Sequence, residues 1–122
     1  MHYFHFSSLL LFSVCTSFVS DLPQVLAMPD KRYLPKGMLG RIECPTQANP
    51  PVIKVEWTKD QHAIDFSHYS NRLKRTNDGH LIFNTVMQSD EGQYTCTACS
   101  AQGCGKQSGV IKILVRGQFV LY

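Results

Sequence analysis

The sequence predicts an all-β protein, a single domain folded as a two-sheet antiparallel sandwich. Between residues 35 and 115, apolar side chains recur at every second position in short runs, which is the period of half-buried strands. Pro, Gly, Asn and Asp separate these runs and favour turns. This region carries no amphipathic helix of useful length. A chain of 122 residues is long enough for one such domain.

Two early strands are predicted from alternation. In the first, Gly40, Ile42 and Cys44 share one parity and are expected to face the core. Asn and Pro at positions 49–51 favour a turn before the second strand. The second strand alternates between an apolar inward set and a polar outward set: Ile53, Val55 and Trp57 inward, and Lys54, Glu56 and Thr58 outward.

Three later strands follow the same rule. After a turn at residues 77–79, Leu81 and Phe83 alternate toward the core. From Gly92 the inward residues are Tyr94, Cys96 and Ala98, and in the last strand they are Ile111, Ile113 and Val115. Cys44 and Cys96 are therefore both expected to point into the core.

The spacing of these core residues is characteristic. Trp57 lies 13 positions after Cys44, and Cys96 lies 52 positions after it. Tyr94 stands two residues before Cys96, where a tyrosine corner belongs, in a run that starts at Asp90. These spacings predict an immunoglobulin-like sandwich.

From residue 33 to residue 115 the chain resembles the intermediate type (I-set) of immunoglobulin domain found in cell-surface adhesion proteins. Four segments, at 33–38, 44–45, 48–51 and 57–60, make it similar to an immunoglobulin domain of the turtle family of neuronal membrane proteins. This resemblance implies a Greek-key topology. It also implies a role in cell contact, such as neurite branching, self-avoidance or targeting.

The inward cysteines predict a stabilising disulfide. A bond between Cys44 and Cys96 would close a loop of about 50 residues and stabilise the domain by roughly 4 kcal/mol. Trp57 would lie beside the bridge, and its replacement by Ala should cost about 3 to 5 kcal/mol. Tyr94, Leu81 and Phe83 complete the predicted core.

Asp90 is expected to pair with a cation at the opposite end of the sandwich. Arg72 is the preferred partner, and Arg75 is the second choice. The pairing is a structural hypothesis.

Cys99 and Cys104 flank the four residues of the final hairpin. A second disulfide across this hairpin is the preferred interpretation. Two free thiols are the alternative. A zinc site with Cys96 is disfavoured, because Cys96 faces the core, Cys99 faces outward, and no His follows at a suitable distance.

Composition and motifs argue against catalysis and against nucleic acid. Twelve Lys and Arg against nine Asp and Glu give a net charge of +3, too small to require a polyanion. The motifs of serine hydrolases, phosphate-binding loops and zinc proteases do not occur. His62, Asp65 and His68 are read as part of a solvated loop or edge strand. We therefore expect a binding module with no cofactor or small-molecule substrate.

The predicted binding face lies on the sheet that holds the Trp57 strand and the last two strands. Its outward residues are Lys54, Glu56, Thr95, Thr97, Val110, Lys112 and Leu114. Outward apolar residues such as Val110 and Leu114 can mark an interface, although scattered exposed apolar residues are also normal. A basic run at Arg72, Lys74 and Arg75 could hold heparan sulfate, but a solvated strand is the favoured interpretation.

We divide the chain into four parts. Residues 1–20 contain no charged side chain and are read as a signal peptide, with a membrane anchor or a segment unrelated to the fold as alternatives. Residues 21–30 are a linker, 31–116 the domain and 117–122 a tail. Five cysteines in so short a chain favour an oxidising, extracellular location.

Two functional hypotheses remain. The first is a recognition or adhesion module of a neuronal cell-surface protein that binds another ectodomain, its own kind included. The second is a secreted immunoglobulin protein that acts as a ligand, decoy or opsonin. The residues after Val115 are too few for a membrane span, so we expect either a fragment of a longer receptor, which we favour, or a chain that is secreted as it stands.

Overall fold

A computed structural model describes residues 21–117, so the predicted signal peptide at 1–20 and most of the predicted tail, 118–122, lie outside the described residues. The strands of the described part are β1 Gln24–Val25, β2 Lys31–Pro35, β3 Gly40–Ile42, β4 Thr46–Gln47, β5 Val52–Lys59, β6 His62–Ala63, β7 Leu73–Arg75, β8 Leu81–Phe83, β9 Gly92–Ser100, β10 Gly103–Cys104 and β11 Ile111–Arg116. Two short 3-10 turns lie at Phe66–Tyr69 and Gln88–Asp90.

The strands form the two layers of a sandwich. Within the described residues, one sheet has the order β2-β11-β9-β5-β6, with β10 paired to β9. The facing sheet has the order β3-β8-β7, and β1 pairs with β4 beside it. All pairs are antiparallel except β2 with β11, which run parallel. The all-β sandwich expected from the sequence is therefore present.

The core lies between the sheets and is built around a disulfide. Cys44 and Cys96 are bonded, fully buried and lie with their Cα atoms 6.3 Å apart. Trp57 is 2 % exposed, and its indole N–H donates to the carbonyl of Gly79 at 2.6 Å. Gly79 has φ +90°, and a Cβ there would come within 2.2 Å of Val55. The turn must therefore carry glycine to reach the indole.

The remaining predicted core residues are also buried. Leu81, Phe83 and Tyr94 are each 0 % exposed. The rings of Phe83 and Tyr94 pack edge to face, with centroids 6.4 Å apart, an arrangement that aromatic pairs favour. On β8, Ile82 lies between Leu81 and Phe83 and is only partly buried, because successive side chains of a strand point to opposite faces.

The Asp90 corner closes one end of the sandwich. Arg72 donates from Nη1 and Nη2 to the two carboxylate oxygens of Asp90, at 2.7 and 2.9 Å. The backbone N–H of Met87 donates to the same carboxylate at 2.7 Å. Tyr94 donates its hydroxyl to the carbonyl of Asp90 at 2.6 Å, and burial raises the pKa of that hydroxyl. The corner thus fixes the entry into β9.

The segment 21–30 is part of the domain, so the expectation of a linker is wrong. Its residues 24–25 form β1 and pair with β4. Pro23 is fully buried, and Leu26 donates its backbone N–H to the carbonyl of Pro45 at 2.8 Å. The pairing was not visible in the sequence, because a two-residue strand is too short to show alternation.

Ile53 does not face the core, which corrects the expected parity of β5. The pairing of β5 with β9 shifts register between Val52 and Lys54, as in a β-bulge. Ile53 is 72 % exposed, whereas Val52 packs against the core. A bulge inserts one extra residue and reverses the alternation beyond it.

Candidate binding face

The surface of interest is the side of the β2-β11-β9-β5 sheet that points away from the core, called the outer face below. β9 lies in the middle of this surface, between β5 and β11, and β2 forms its edge. Because strand residues alternate, the neighbours of the buried core residues supply this face. The face comprises Lys54 and Glu56 on β5, Thr95 and Thr97 on β9, Lys112, Leu114 and Arg116 on β11, and Lys31 and Tyr33 on β2.

Lys54 and Glu56 form an exposed ion pair on this face. The ammonium of Lys54 lies 2.9 Å from a carboxylate oxygen of Glu56, and each side chain is more than half exposed. The hydrogen bond from Lys54, together with its charge, lowers the pKa of Glu56. The two charges cancel locally, so this part of the face presents little net charge.

Thr95 is covered, although the sequence predicted it as an exposed member of the face. It is only 9 % exposed. The side-chain amide of Gln107 donates to its hydroxyl at 2.6 Å, and Thr58 holds the same hydroxyl from β5. The segment between β10 and β11 therefore folds over this position, which alternation alone could not reveal. Thr97, two residues further along, is partly exposed.

The β11 side of the face is open. Val110 is 52 % exposed, Lys112 is exposed and Leu114 is partly exposed. Their inward neighbours Ile111 and Ile113 are buried. These three predicted face residues thus point away from the core as expected.

The β2 edge of the face was not predicted from the sequence. Lys31 lies beside Lys112 and Tyr33 beside Leu114 in the parallel pairing of β2 with β11. Tyr33 is 43 % exposed, and the guanidinium of Arg116 lies over its ring, 3.7 Å from the centroid. The sequence of β2, KRYLP, shows no clear alternation, and nothing local in the sequence shows that β2 pairs with the last strand.

Cys99 and Cys104 form a disulfide beside this face. The two residues are paired directly across β9 and β10, and their Cα atoms lie 3.9 Å apart. Cys99 is 4 % exposed, whereas Cys104 is exposed. The bond closes the hairpin next to Lys54, which is the β5 partner of Cys99. It therefore holds one corner of the face in place.

The basic run at 72–75 does not form a patch. Arg72 is engaged by Asp90, and that hydrogen bond raises the pKa of the guanidinium. Arg75 donates to the carbonyl of Val55 at 2.8 Å and lies over the ring of Phe66. Only Lys74 of the three is exposed without such a contact, so two of the three cations are engaged by other groups of the domain.

The histidines of the polar segment lie at the surface. His62, Asp65 and His68 are all exposed. His68 lies 3.5 Å from Asp65, whose pKa is lowered by hydrogen bonds from the hydroxyl and amide of Ser67. Residues 21–117 contain no group of side chains arranged to hold a metal ion, and no helix among them is long and apolar enough to cross a bilayer.

Comparison with known proteins assigns the family. The family model described as "Immunoglobulin domain" matches residues 23–99. This chain belongs to that family. The match begins at 23, which agrees with the buried Pro23 and with strand β1.

The immunoglobulin domain is similar to domains of larger proteins. It is 38 % identical over 93 residues to protein turtle homolog A of Homo sapiens, and 34 % identical over 93 residues to protein turtle of Drosophila melanogaster. These matches cover 76 % of this chain but only 8 % and 6 % of those proteins. The domain thus corresponds to a small part of each relative.

The immunoglobulin domain is also similar to an insect protein and to solved structures. It is 33 % identical over 102 residues to hemolin of Lonomia obliqua, a match that covers 79 % of this chain and 24 % of hemolin. The N-terminal Ig1-2 module of the Drosophila receptor protein tyrosine phosphatase DLAR superposes with a TM-score of 0.68 at 25 % identity. That superposition covers 80 % of this chain and 47 % of the module. The domain thus shares its fold with part of a module that contains two immunoglobulin domains.

Proposed function

We propose that this immunoglobulin domain is a recognition and adhesion module of a cell-surface protein, and that its outer face docks another ectodomain. The observation that carries the proposal is the group of Tyr33, Leu114 and Arg116. These side chains lie side by side on the outer face and remain at least partly exposed. Aromatic residues and Arg are enriched among the residues that dominate binding energies. Binding is therefore a better use of this surface than catalysis.

We further propose that the contact is between neurons and that the protein is held at the plasma membrane or secreted near it. The similarity to turtle proteins supports a neuronal role, and the similarity to a tandem module of a receptor phosphatase supports a place within a longer ectodomain. Two disulfides suit an extracellular location. Weak contacts made by many copies would then add up on the cell surface.

A second candidate is a secreted immune-type ligand, decoy or opsonin. The similarity to hemolin favours it, because a solved structure with a similar fold is described as that of an insect immune protein. The two candidates differ in their target. An adhesion module binds a protein on another cell of the same animal, whereas an opsonin binds the surface of a microbe.

A cell-clustering experiment tests the proposal. Cells would display the 122-residue chain through an added membrane tether and would be mixed with cultured neurons or with bacteria. We expect clusters with neurons, and we expect Leu114→Asp and Val110→Asp to reduce them, because each places a carboxylate in the apolar part of the face. Lys74→Asp on the opposite sheet is the matched control and should leave clustering unchanged.

The possible results separate the candidates. Equal clustering by Leu114→Asp and Lys74→Asp cells would reject the outer face as the binding surface. Clustering with bacteria alone would replace the adhesion proposal with the opsonin candidate.

A further inference from the structure

The charges of the outer face are unbalanced. Lys31, Lys112 and Arg116 are exposed, and none of them takes part in an ion pair within residues 21–117. Glu56, the acidic residue of the face, and Glu91, which comes just before β9, are already engaged. Glu56 pairs with Lys54, and Glu91 accepts the backbone N–H of Val115 at 2.8 Å.

Two of the three cations are paired across the strands, and the third lies further along the same edge. Lys31 lies beside Lys112 in the parallel pairing, and Arg116 lies two residues beyond Leu114 on the same side of β11. Side chains at such positions on one face are close enough to act on one partner. The result is a basic edge along β2 and β11, interrupted only by the apolar side chains of Tyr33 and Leu114.

Arg116 is held in position before any partner arrives. Its guanidinium stacks on the Tyr33 ring at 3.7 Å, a contact that fixes the long side chain without using its N–H donors. Those donors form a planar fork that matches a carboxylate. Because Tyr33 remains 43 % exposed, the partner can cover the ring and reach the guanidinium at once.

We propose that the outer face recognises an acidic surface on a different protein and not a second copy of this chain. The inference rests on the proposed function, since it names the partner of the same face. A two-fold contact between identical copies would place each patch against itself. Lys31, Lys112 and Arg116 would then meet the same three cations, which repel. Carboxylates opposite them would instead be attracted.

The test uses a charge-reversed copy of the chain as the acidic probe. Beads carrying the wild-type chain are mixed with beads carrying Lys31→Glu combined with Lys112→Glu, which leaves the Arg116–Tyr33 stack in place. The matched control combines Arg41→Glu with Lys74→Glu, which changes the net charge equally but on the opposite sheet. Trp57 fluorescence and thermal unfolding check that both double variants are folded.

We expect wild-type beads to cluster with the outer-face variant about tenfold more than with themselves or with the control, since each exposed ion pair contributes little and two act together. Raising sodium chloride from about 0.05 M to about 0.5 M should remove the difference, because salt screens exposed charges. Arg116→Ala in the wild-type partner should weaken the mixed clusters.

Three results would overturn the inference. Wild-type beads that cluster with themselves as strongly as with the variant would show a contact between copies, and the proposed function would stand. Equal clustering with both double variants would show a non-specific charge effect. Stronger capture of the wild-type chain by heparin-coated beads than by beads carrying the outer-face variant would point to a sulfated glycan.

Discussion

The Arg72–Asp90 pair offers a sharp test of how this domain is held together. Asp90 is 1 % exposed and Arg72 19 % exposed, and two hydrogen bonds join them. Arg72→Met keeps the length of the side chain but leaves the buried carboxylate without its cation. Breaking a buried pair in this way costs about 3 to 5 kcal/mol. Since the Met87 N–H still donates to Asp90, we expect the lower end, about 3 kcal/mol.

The measurement is urea or thermal unfolding with both disulfides intact, followed by Trp57 fluorescence. For a domain of this size about 3 kcal/mol corresponds to a fall in Tm of about 15 °C. The double variant, Arg72→Met with Asp90→Ala, should cost about 2 kcal/mol less than the sum of the single variants, because neither charge is then left unpaired. Arg72→Lys should fall between wild type and Arg72→Met. Single-variant costs that add to within about 0.5 kcal/mol would refute this account of the corner.

Two further predictions concern the opposite end of the sandwich and the outer face. His80→Ala removes the ring nitrogen that accepts the Cys44 backbone N–H at 3.0 Å, so the free energy of unfolding should fall by about 1 to 3 kcal/mol. His80→Asn should recover part of this loss. Unchanged hydrogen exchange of the Cys44 amide in His80→Ala would contradict the assignment of this hydrogen bond. Lys54→Met should raise the pKa of Glu56 back toward its ordinary value, because Lys54 is the main cause of the lowering. A group with a lowered pKa stabilises the fold above its unfolded pKa and loses that contribution as pH falls through the folded pKa. Wild type should therefore lose slightly more stability than Lys54→Met on acidification below about pH 4.5. NMR titration of the Glu56 carboxylate measures the pKa in both proteins, and equal midpoints would argue against the ion pair.

The sequence predicted much of the fold because its strongest signals are local and periodic. Cys44, Trp57, Tyr94 and Cys96 fall on one parity of their strands at the spacing of an immunoglobulin sandwich, and each is buried. Where the period was broken, the prediction was wrong. Ile53 sits at a bulge between Val52 and Lys54, and a bulge leaves no mark in an alternating pattern of apolar residues.

The candidate face could be predicted only in part. Lys112, Leu114 and Val110 follow from the parity of β11 alone. Thr95 satisfies the same parity but is covered by Gln107, a residue of an irregular segment whose path no period describes. Its burial therefore needed the structure.

The apolar pattern of the chain identified most of the residues that face the core, because burial of apolar side chains imposes a period of two on a regular strand. Which strands lie side by side, and hence which outward residues form one surface, depends on the folded arrangement of the whole chain. Tyr33 and Arg116 are far apart in the chain and meet because β2 runs parallel to β11. Pairing between distant strands depends on how the whole chain closes around its core, and no local pattern of residues records it.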